Sequence, residues 1–338
     1  MFNKKKKIFA FLVLAIIACL FYVFFKINYS IGGATLKKIV LVEKGDNALV
    51  VGEKLNKAGV IDGKYFLALY LWKEGNLHKL VAGVYDFPVG LKIPEIASII
   101  TGGQVAMTRI PITFPEGLTL RQMAEKISSN GFSGEEFLSI TSNPNQILRD
   151  KYEFLKEIPE GKSLEGYLFP DTYYFAKDAS SADIIDKMLK NFGGKITQNI
   201  LDEIGAQKKS LYEIITMASI VEGEVAIDAD RKIVAGLFWN RLSIGMTMGS
   251  DATLEYVLGG NKRQHSIAET KTDSPYNTYL YKGLPPGPVS NPGISSIMAA
   301  VYPQTSEYVY FLSDPKTGKT IFSKTFQEHV ANKDKYGL

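Results

Sequence analysis

The chain opens on a run with no polar position: all 18 residues from Ile8 to Phe25 are aliphatic, aromatic or sulfur-containing. A helix of that length rises about 27 Å at ~1.5 Å per residue, close to the ~30 Å hydrocarbon core of a bilayer, so the pattern predicts one transmembrane helix over residues 8–25. After Gly32 and Gly33, read as a short linker, a different pattern takes over. A strand, a glycine turn and an amphipathic helix recur three times in weakly similar form. The copies pair a strand over 38–43 with a helix over 47–58, a strand over 83–87 with a helix over 94–101, and a strand over 109–114 with a helix over 120–129. A further helix is predicted over 64–74, with Leu67, Leu71 and Trp72 on one face. Beyond Ser133 the periodicity turns helical, with helices predicted over 133–139, 181–192, 210–225 and 228–243. Residues 273–303 are rich in Pro, Gly, Asn and Tyr and read as ordered loops, followed by a strand over 307–312 and a hairpin over 314–323. The class is α+β.

Composition narrows the chemistry. With 338 residues, 46% hydrophobic and 22% charged, the chain is long enough for two domains with their own cores. One cysteine and three widely separated histidines (His78, His265, His329) are poor material for a disulfide framework or a metal centre, and no cofactor is expected. The formal charge of +4 is concentrated at the start: Lys4 to Lys7 and Lys26 are positive, and no acid precedes residue 27. The remainder is close to neutral, which gives no support to a nucleic-acid groove. Four lysines before the apolar run against one after it place residues 1–7 in the cytoplasm and the body of the chain outside. The bulky stretch from Phe21 to Phe25 argues against signal-peptide cleavage. The six apolar residues beyond Cys19 argue against lipidation at Ile16-Ile17-Ala18-Cys19.

One residue is out of place. Along the helix over 210–225, Leu211, Ile214, Ile215, Ala218, Val221 and Val225 form a stripe, and Glu222 sits at its edge. A carboxylate there loses solvation, so unless a cation pairs with it its pKa should rise, the profile of a general acid. The alternative is a structural Glu paired with an arginine of the next helix, Arg231 or Arg241. Glu224 lies roughly 200° further round the helix, so the two carboxylates do not flank one bond as in a two-carboxylate glycosidase, and one of them is solvated or structural. The chain has no strand-to-helix phosphate loop, no nucleophile elbow and no His-Glu-x-x-His. Nucleotide-driven, serine-hydrolase and zinc-protease chemistry are therefore excluded. Loops rich in Tyr and Asn suit sugar faces and hydroxyls, so a carbohydrate polymer is the expected substrate.

Several blocks carry a likeness. Ala218-Ser219-Ile220-Val221-Glu222-Gly223-Glu224 resembles the signature of the endolytic murein transglycosylases, the MltG or YceG-like family, which commonly has Lys where this chain has Gly223. Glu165-Gly166-Tyr167-Leu168-Phe169-Pro170-Asp171-Thr172-Tyr173, Phe238-Trp239-Asn240-Arg241-Leu242 and Ser250-Asp251-Ala252-Thr253 resemble further segments of that family. So do Ser274-Pro275-Tyr276-Asn277-Thr278-Tyr279, Gly283-Leu284-Pro285-Pro286-Gly287-Pro288 and Asn291-Pro292-Gly293, all in the family's order over residues 110–329. Ala252, Thr320 and Val330 depart from the usual Pro, His and Asn, which touches loop shape or a substrate contact but not Glu222.

The resemblance implies a small LysM-like domain over 37–105 and a larger, mainly helical YceG-like catalytic domain over 108–335, behind the tail (1–7) and the membrane helix (8–25). It implies cleavage of peptidoglycan glycan strands between N-acetylmuramic acid and N-acetylglucosamine without water, giving 1,6-anhydro ends, with Glu222 as catalyst. The same likeness makes Glu165, Asp171, Asn240, Asp251, Tyr276, Asn277, Tyr279 and Asn291 the expected substrate contacts. It also implies association with membrane-bound cell-wall synthases at the bacterial cytoplasmic membrane and a role in terminating or trimming nascent strands. Two rival readings stay open: a muramidase that uses water, and a non-catalytic glycan-binding scaffold.

Overall fold

The computed structural model describes residues 4–29, 37–88, 90–102, 109–225, 227–260, 265–314, 317 and 319–337. The chain divides into two units, one of residues 1–111 and 174–178, the other of residues 112–173 and 179–338. The Gly32-Gly33 linker and the expected domain boundary between residues 105 and 108 lie outside the described residues.

The first unit begins with α1 (Lys4–Asn28), one helix long and apolar enough to cross a membrane. Next come β1 (Lys37–Val42), α2 (Ala48–Lys57), α3 (Tyr65–Lys73), β2 (Gly83–Pro88) and α4 (Ile93–Thr101). The strands pair antiparallel with Val40 opposite Tyr85 and Lys38 opposite Phe87. Alternation puts Val40, Val42, Tyr85 and Phe87 on one face, where they meet Val51 and Leu55 of α2, Leu67 and Leu71 of α3, and Ile96 and Ile100 of α4. Asn47 starts α2 by accepting from the amides of Leu49 and Val50. The first two strand-and-helix copies therefore share one small core.

The third copy goes elsewhere. β3 (Arg109–Phe114) pairs not with β1 or β2 but with β4 (Asp171–Ala176), a strand in a segment read only as a motif. Thr113 and Thr172 share a hydroxyl hydrogen bond of 2.9 Å across that ribbon. The second unit continues with α5 (Leu120–Ser129), α6 (Gly134–Ser142) and α7 (Gln146–Lys151) before β4. After it come α8 (Ser181–Lys195), α9 (Gln198–Ala206), α10 (Leu211–Glu224), α11 (Asp228–Ser243) and α12 (Asp251–Leu258). The chain closes with α13 (Ile294–Val301), the hairpin β5 (Tyr310–Ser313) and β6 (Thr320–Ser323), and α14 (Phe326–Tyr336).

α10 is the centre of this unit. Every residue from Ile214 to Val221 is buried, so the stripe read from the sequence widens to the whole circumference. α9, α11, α12 and α13 pack around it. α13 corrects the reading of 273–303 as loops: Ser296, Ile297, Ala299, Ala300 and Val301 are buried, and their small or apolar side chains let this helix lie against α10 and α11. One glycine is sterically required. Gly166 has φ +90°, and a Cβ there would stand 2.6 Å from Ile215 and 2.7 Å from Pro288. Gly166→Ala is therefore expected to cost on the order of 2–4 kcal/mol, read as a lower urea midpoint with an unchanged m-value.

Candidate active site

α10 is started by a reciprocal cap in which Ser210 accepts from the Glu213 amide and Glu213 accepts from the Ser210 amide at 2.8 Å. Within the buried helix the polar side chains are satisfied locally: the Ser219 hydroxyl donates to the Thr216 carbonyl at 2.8 Å and accepts from the Val289 amide at 3.0 Å. Glu222 emerges in the last turn, with only 6% of its side chain exposed. A carboxylate at a helix C-terminus faces the negative end of the helix dipole, so it needs compensation. Arg231 of α11 donates from Nη2 to Oε1 at 2.9 Å and from Nη1 to Oε2 at 3.3 Å. The amide of Gly293, at the positive N-terminal end of α13, donates to Oε2 at 2.9 Å. Of the two arginines proposed as partners, Arg231 is the one that pairs, so the geometry is the Arg-paired one that the sequence reading set against an unpaired general acid. Its guanidinium has two further anchors, Ser296 Oγ at 3.0 Å and Asp228 Oδ1 at 3.2 Å. Arg241 is buried apart from Glu222, donating to the carbonyls of Met248 and Val309.

Glu224 is structural and half-buried. It accepts from Ser250 Oγ at 2.5 Å and from the Ala252 amide at 3.0 Å, where α12 begins. Burial pushes its pKa up, opposed by those two hydrogen bonds; the Asp251 charge adds to the rise and Arg241 opposes it. Asp251 and Tyr279, both expected to touch substrate, bond to each other at 2.8 Å beside it.

Asn291 is the hub behind the site. Its side-chain oxygen accepts from the amides of Gly166 and Leu168, each at 3.0 Å. Its amide nitrogen donates to the Leu118 carbonyl and to Glu165 Oε1, each at 2.9 Å. Its backbone exchanges hydrogen bonds with Gly117 and Leu118. These bonds tie the segment carrying Gly293 to the turn at Gly117, where an added Cβ would lie 3.7 Å from Glu222 Cγ. Glu165 is buried beneath, accepting from the Leu120 amide at 3.0 Å at the start of α5, with the Tyr256 hydroxyl at 3.4 Å. Burial raises its pKa to about 8, against the opposing pull of Leu120, Tyr256 and Asn291.

The other expected contacts are dispersed. Tyr276 is half-buried with its ring 5.0 Å from that of Tyr256. Asn277 is fully buried and donates to the carbonyls of Thr270 and Thr272, so its amide shapes the loop. Asn240 reaches the Tyr308 carbonyl at 3.5 Å, and Asp171 is exposed at the edge of β4, accepting from Asn191. A residue that sequence reasoning missed is Glu116. It is exposed, and an added Cβ on Gly293 would stand 2.6 Å from its Cγ, so it borders the segment that donates to Glu222. The Pro-Glu-Gly turn after β3 was the one local signal for it. Among the described residues no three His, Cys, Asp or Glu side chains are grouped to hold a metal ion.

Glu165 makes stability pH-dependent. Its folded pKa lies above the 4.5 of an unperturbed carboxyl, so between pH 4.5 and about 8 the folded state holds a proton that the unfolded chain has released. Stability from this group is therefore present at low pH and lost as pH rises through that window, by a few kcal/mol to order of magnitude. Urea unfolding at pH 5 and pH 8.5 should show that loss for the parent and a smaller one for Glu165→Gln.

The comparisons with known proteins agree on one family. Residues 40–335 match the sequence profile of the YceG-like family. Over 304 residues the chain is 33% identical to a protein named endolytic murein transglycosylase from Bacillus subtilis (strain 168), covering 87% of this chain and 83% of that protein. Over 324 residues it is 31% identical to a protein of the same name from Streptococcus pneumoniae, covering 88% of this chain and 58% of that longer one. A 2.6 Å crystal structure of a putative YceG-like protein from Listeria monocytogenes superposes with a TM-score of 0.61 at 34% identity, over 88% of this chain and 99% of the other.

Proposed function

The chain belongs to the YceG-like family, and on that premise we propose that it is a membrane-anchored endolytic murein transglycosylase with Glu222 as its catalyst. The observation that carries the assignment of Glu222 is its setting: a carboxylate delivered by the last turn of a helix buried from Ile214 to Val221, held by Arg231 and the Gly293 amide, and bordered by the glycine turn at Gly117. A group held this way is delivered to one place beside a bound sugar, and its carboxyl takes up and passes on a proton once it turns from Arg231 to the substrate.

Protonated Glu222 gives its proton to the glycosidic oxygen as the bond to C1 of N-acetylmuramic acid breaks. The resulting carboxylate takes the proton of the muramoyl 6-hydroxyl, whose oxygen attacks C1 and closes the 1,6-anhydro ring. The proton count closes on one carboxylate, so no water and no second carboxylate acting on the same bond are needed. Arg231 is suited to this exchange, because Asp228 and Ser296 keep it in place while Glu222 turns to the sugar. Asn291 and Glu165 act behind the site, holding the segments that carry Gly293 and Gly117. Glu116, exposed beside Gly293, is the acidic group suited to face the positive charge that develops at C1. Among the residues named from the sequence, Tyr276, Asp251 and Tyr279 line the same part of the second unit as Glu224 and Tyr256. With Asp171 and Asn240 they remain proposed substrate contacts, while Asn277 shapes the loop from within.

The remaining organisation follows the same reading. Residues 37–105 form a LysM-like domain, residues 108–335 the catalytic domain, and α1 anchors both at the bacterial cytoplasmic membrane with residues 1–7 inside. Anchored there, the enzyme acts on nascent strands beside membrane-bound wall synthases, ending or trimming them.

Mass spectrometry of peptidoglycan digested by the full chain in detergent tests the chemistry. The parent is expected to release 1,6-anhydro ends, and Glu222→Gln to lower that rate by at least ~10²-fold while keeping its fold. Reducing ends in place of anhydro ends would make the protein a muramidase. Binding without cleavage by either chain would make it a scaffold.

A further inference from the structure

We propose that α3 is a second membrane-contacting element, lying in the headgroup boundary of the bilayer beside α1. This rests on α1 being the membrane anchor, and it concerns the first unit alone.

The eight residues from Tyr65 to Trp72, Tyr-Phe-Leu-Ala-Leu-Tyr-Leu-Trp, contain no charged residue, so α3 is apolar all the way round. Such a helix is normally enclosed on every side or set against lipid. Here one side is enclosed: Leu67 and Leu71 are fully buried in the small core. A second side meets α1, where Phe66 packs edge-on to Tyr22 at 6.2 Å between ring centres. The third side is bare. Tyr65, Leu69 and Trp72, at i, i+4 and i+7, form one stripe and are 64%, 40% and 68% exposed.

What covers the stripe follows from where α3 meets α1. Tyr22 lies inside the apolar run of residues 8–25 and three residues before its end, about 4.5 Å along the helix axis at ~1.5 Å per residue. Lys26 is bonded to Asp62 just ahead of α3, and Ile27 packs against the core of the unit. The last turns of the spanning helix are thus built into the first unit, and α3 starts beside residues that the bilayer surrounds. A helix held there has its uncovered face in the boundary region, where Tyr and Trp are favoured because the ring is apolar and the hydroxyl or indole N–H meets water. Lys64 at one end of α3 and Lys73 at the other suit the same layer, since a long stem reaches from apolar surface to the headgroups.

The chain carries its own reporters for the two helices: one cysteine, Cys19, in α1 and two tryptophans, of which Trp72 is in α3. Full-length protein is reconstituted in phosphatidylcholine and phosphatidylglycerol vesicles, with and without lipids brominated near the headgroup. The Trp72 signal is obtained as the difference between the parent and Trp72→Phe. The expected result is a Trp72 emission that is blue-shifted, loses intensity with brominated lipid and resists aqueous iodide, while Cys19 is shielded from a water-soluble maleimide. A shielded Cys19 with Trp72 emission as in water and open to iodide overturns the α3 assignment while leaving the anchor intact. A Cys19 that reacts freely removes the anchor itself, and the α3 proposal with it. Trp72 emission that ignores lipid but changes on adding peptidoglycan makes the stripe a sugar-binding face instead.

Discussion

Carboxylates set at helix N-termini organise the second unit. Glu165 accepts from Leu120 where α5 begins, Glu157 from Leu211 where α10 begins, Glu224 from Ala252 where α12 begins, and Glu222 from Gly293 ahead of α13. Each bond meets two needs at once. A helix start has amides without intrahelical partners and a positive dipole end, and a carboxyl group screened from water, wholly at Glu165 and in part at Glu222 and Glu224, has lone pairs that need another donor. Because each carboxylate comes from a distant stretch of chain, these caps also fix how the helices are arranged around α10.

The Glu-Gly-Glu stretch at the end of α10 shows how one local sequence yields two different groups. Glu222 and Glu224 are two residues apart, so the helix sends them to different neighbours. Glu224 finds Ser250 and the start of α12, and burial raises its pKa. Glu222 finds a guanidinium with two other anchors and one backbone amide. The first is locked into architecture; the second is held by a partner that can remain in place when the carboxylate moves. That difference in partners, more than burial, separates a capping residue from one suited to proton transfer.

Asn291 performs a comparable task with a neutral group. All its side-chain hydrogen-bonding capacity is used by Gly166, Leu168, Leu118 and Glu165, so three segments far apart in sequence meet at one buried amide. Replacing either half of that amide would leave a buried donor or acceptor without a partner, which costs more than the bond contributes. Gly166 reinforces the junction by letting Ile215 and Pro288 close in.

Periodicity and composition alone determined the apolar span, the α+β class and nearly all the longer helices, because each rests on contacts within a few residues: i to i+4 stripes, caps, and glycine turns. The same local rules made Glu222 stand out on its stripe and kept Arg231 among its possible partners. Tertiary structure decided everything that depends on distant chain. It sent β3 to β4 instead of to the first two strands, because strand pairing is set by what the whole chain brings alongside. It turned part of the Pro- and Gly-rich stretch into α13, whose small residues form a helix only against α10 and α11. It chose Arg231 over Arg241, set Glu224 against Ser250 and the start of α12, and brought Glu116 to Gly293, since which charge meets which is a matter of position in space that spacing along the chain does not encode.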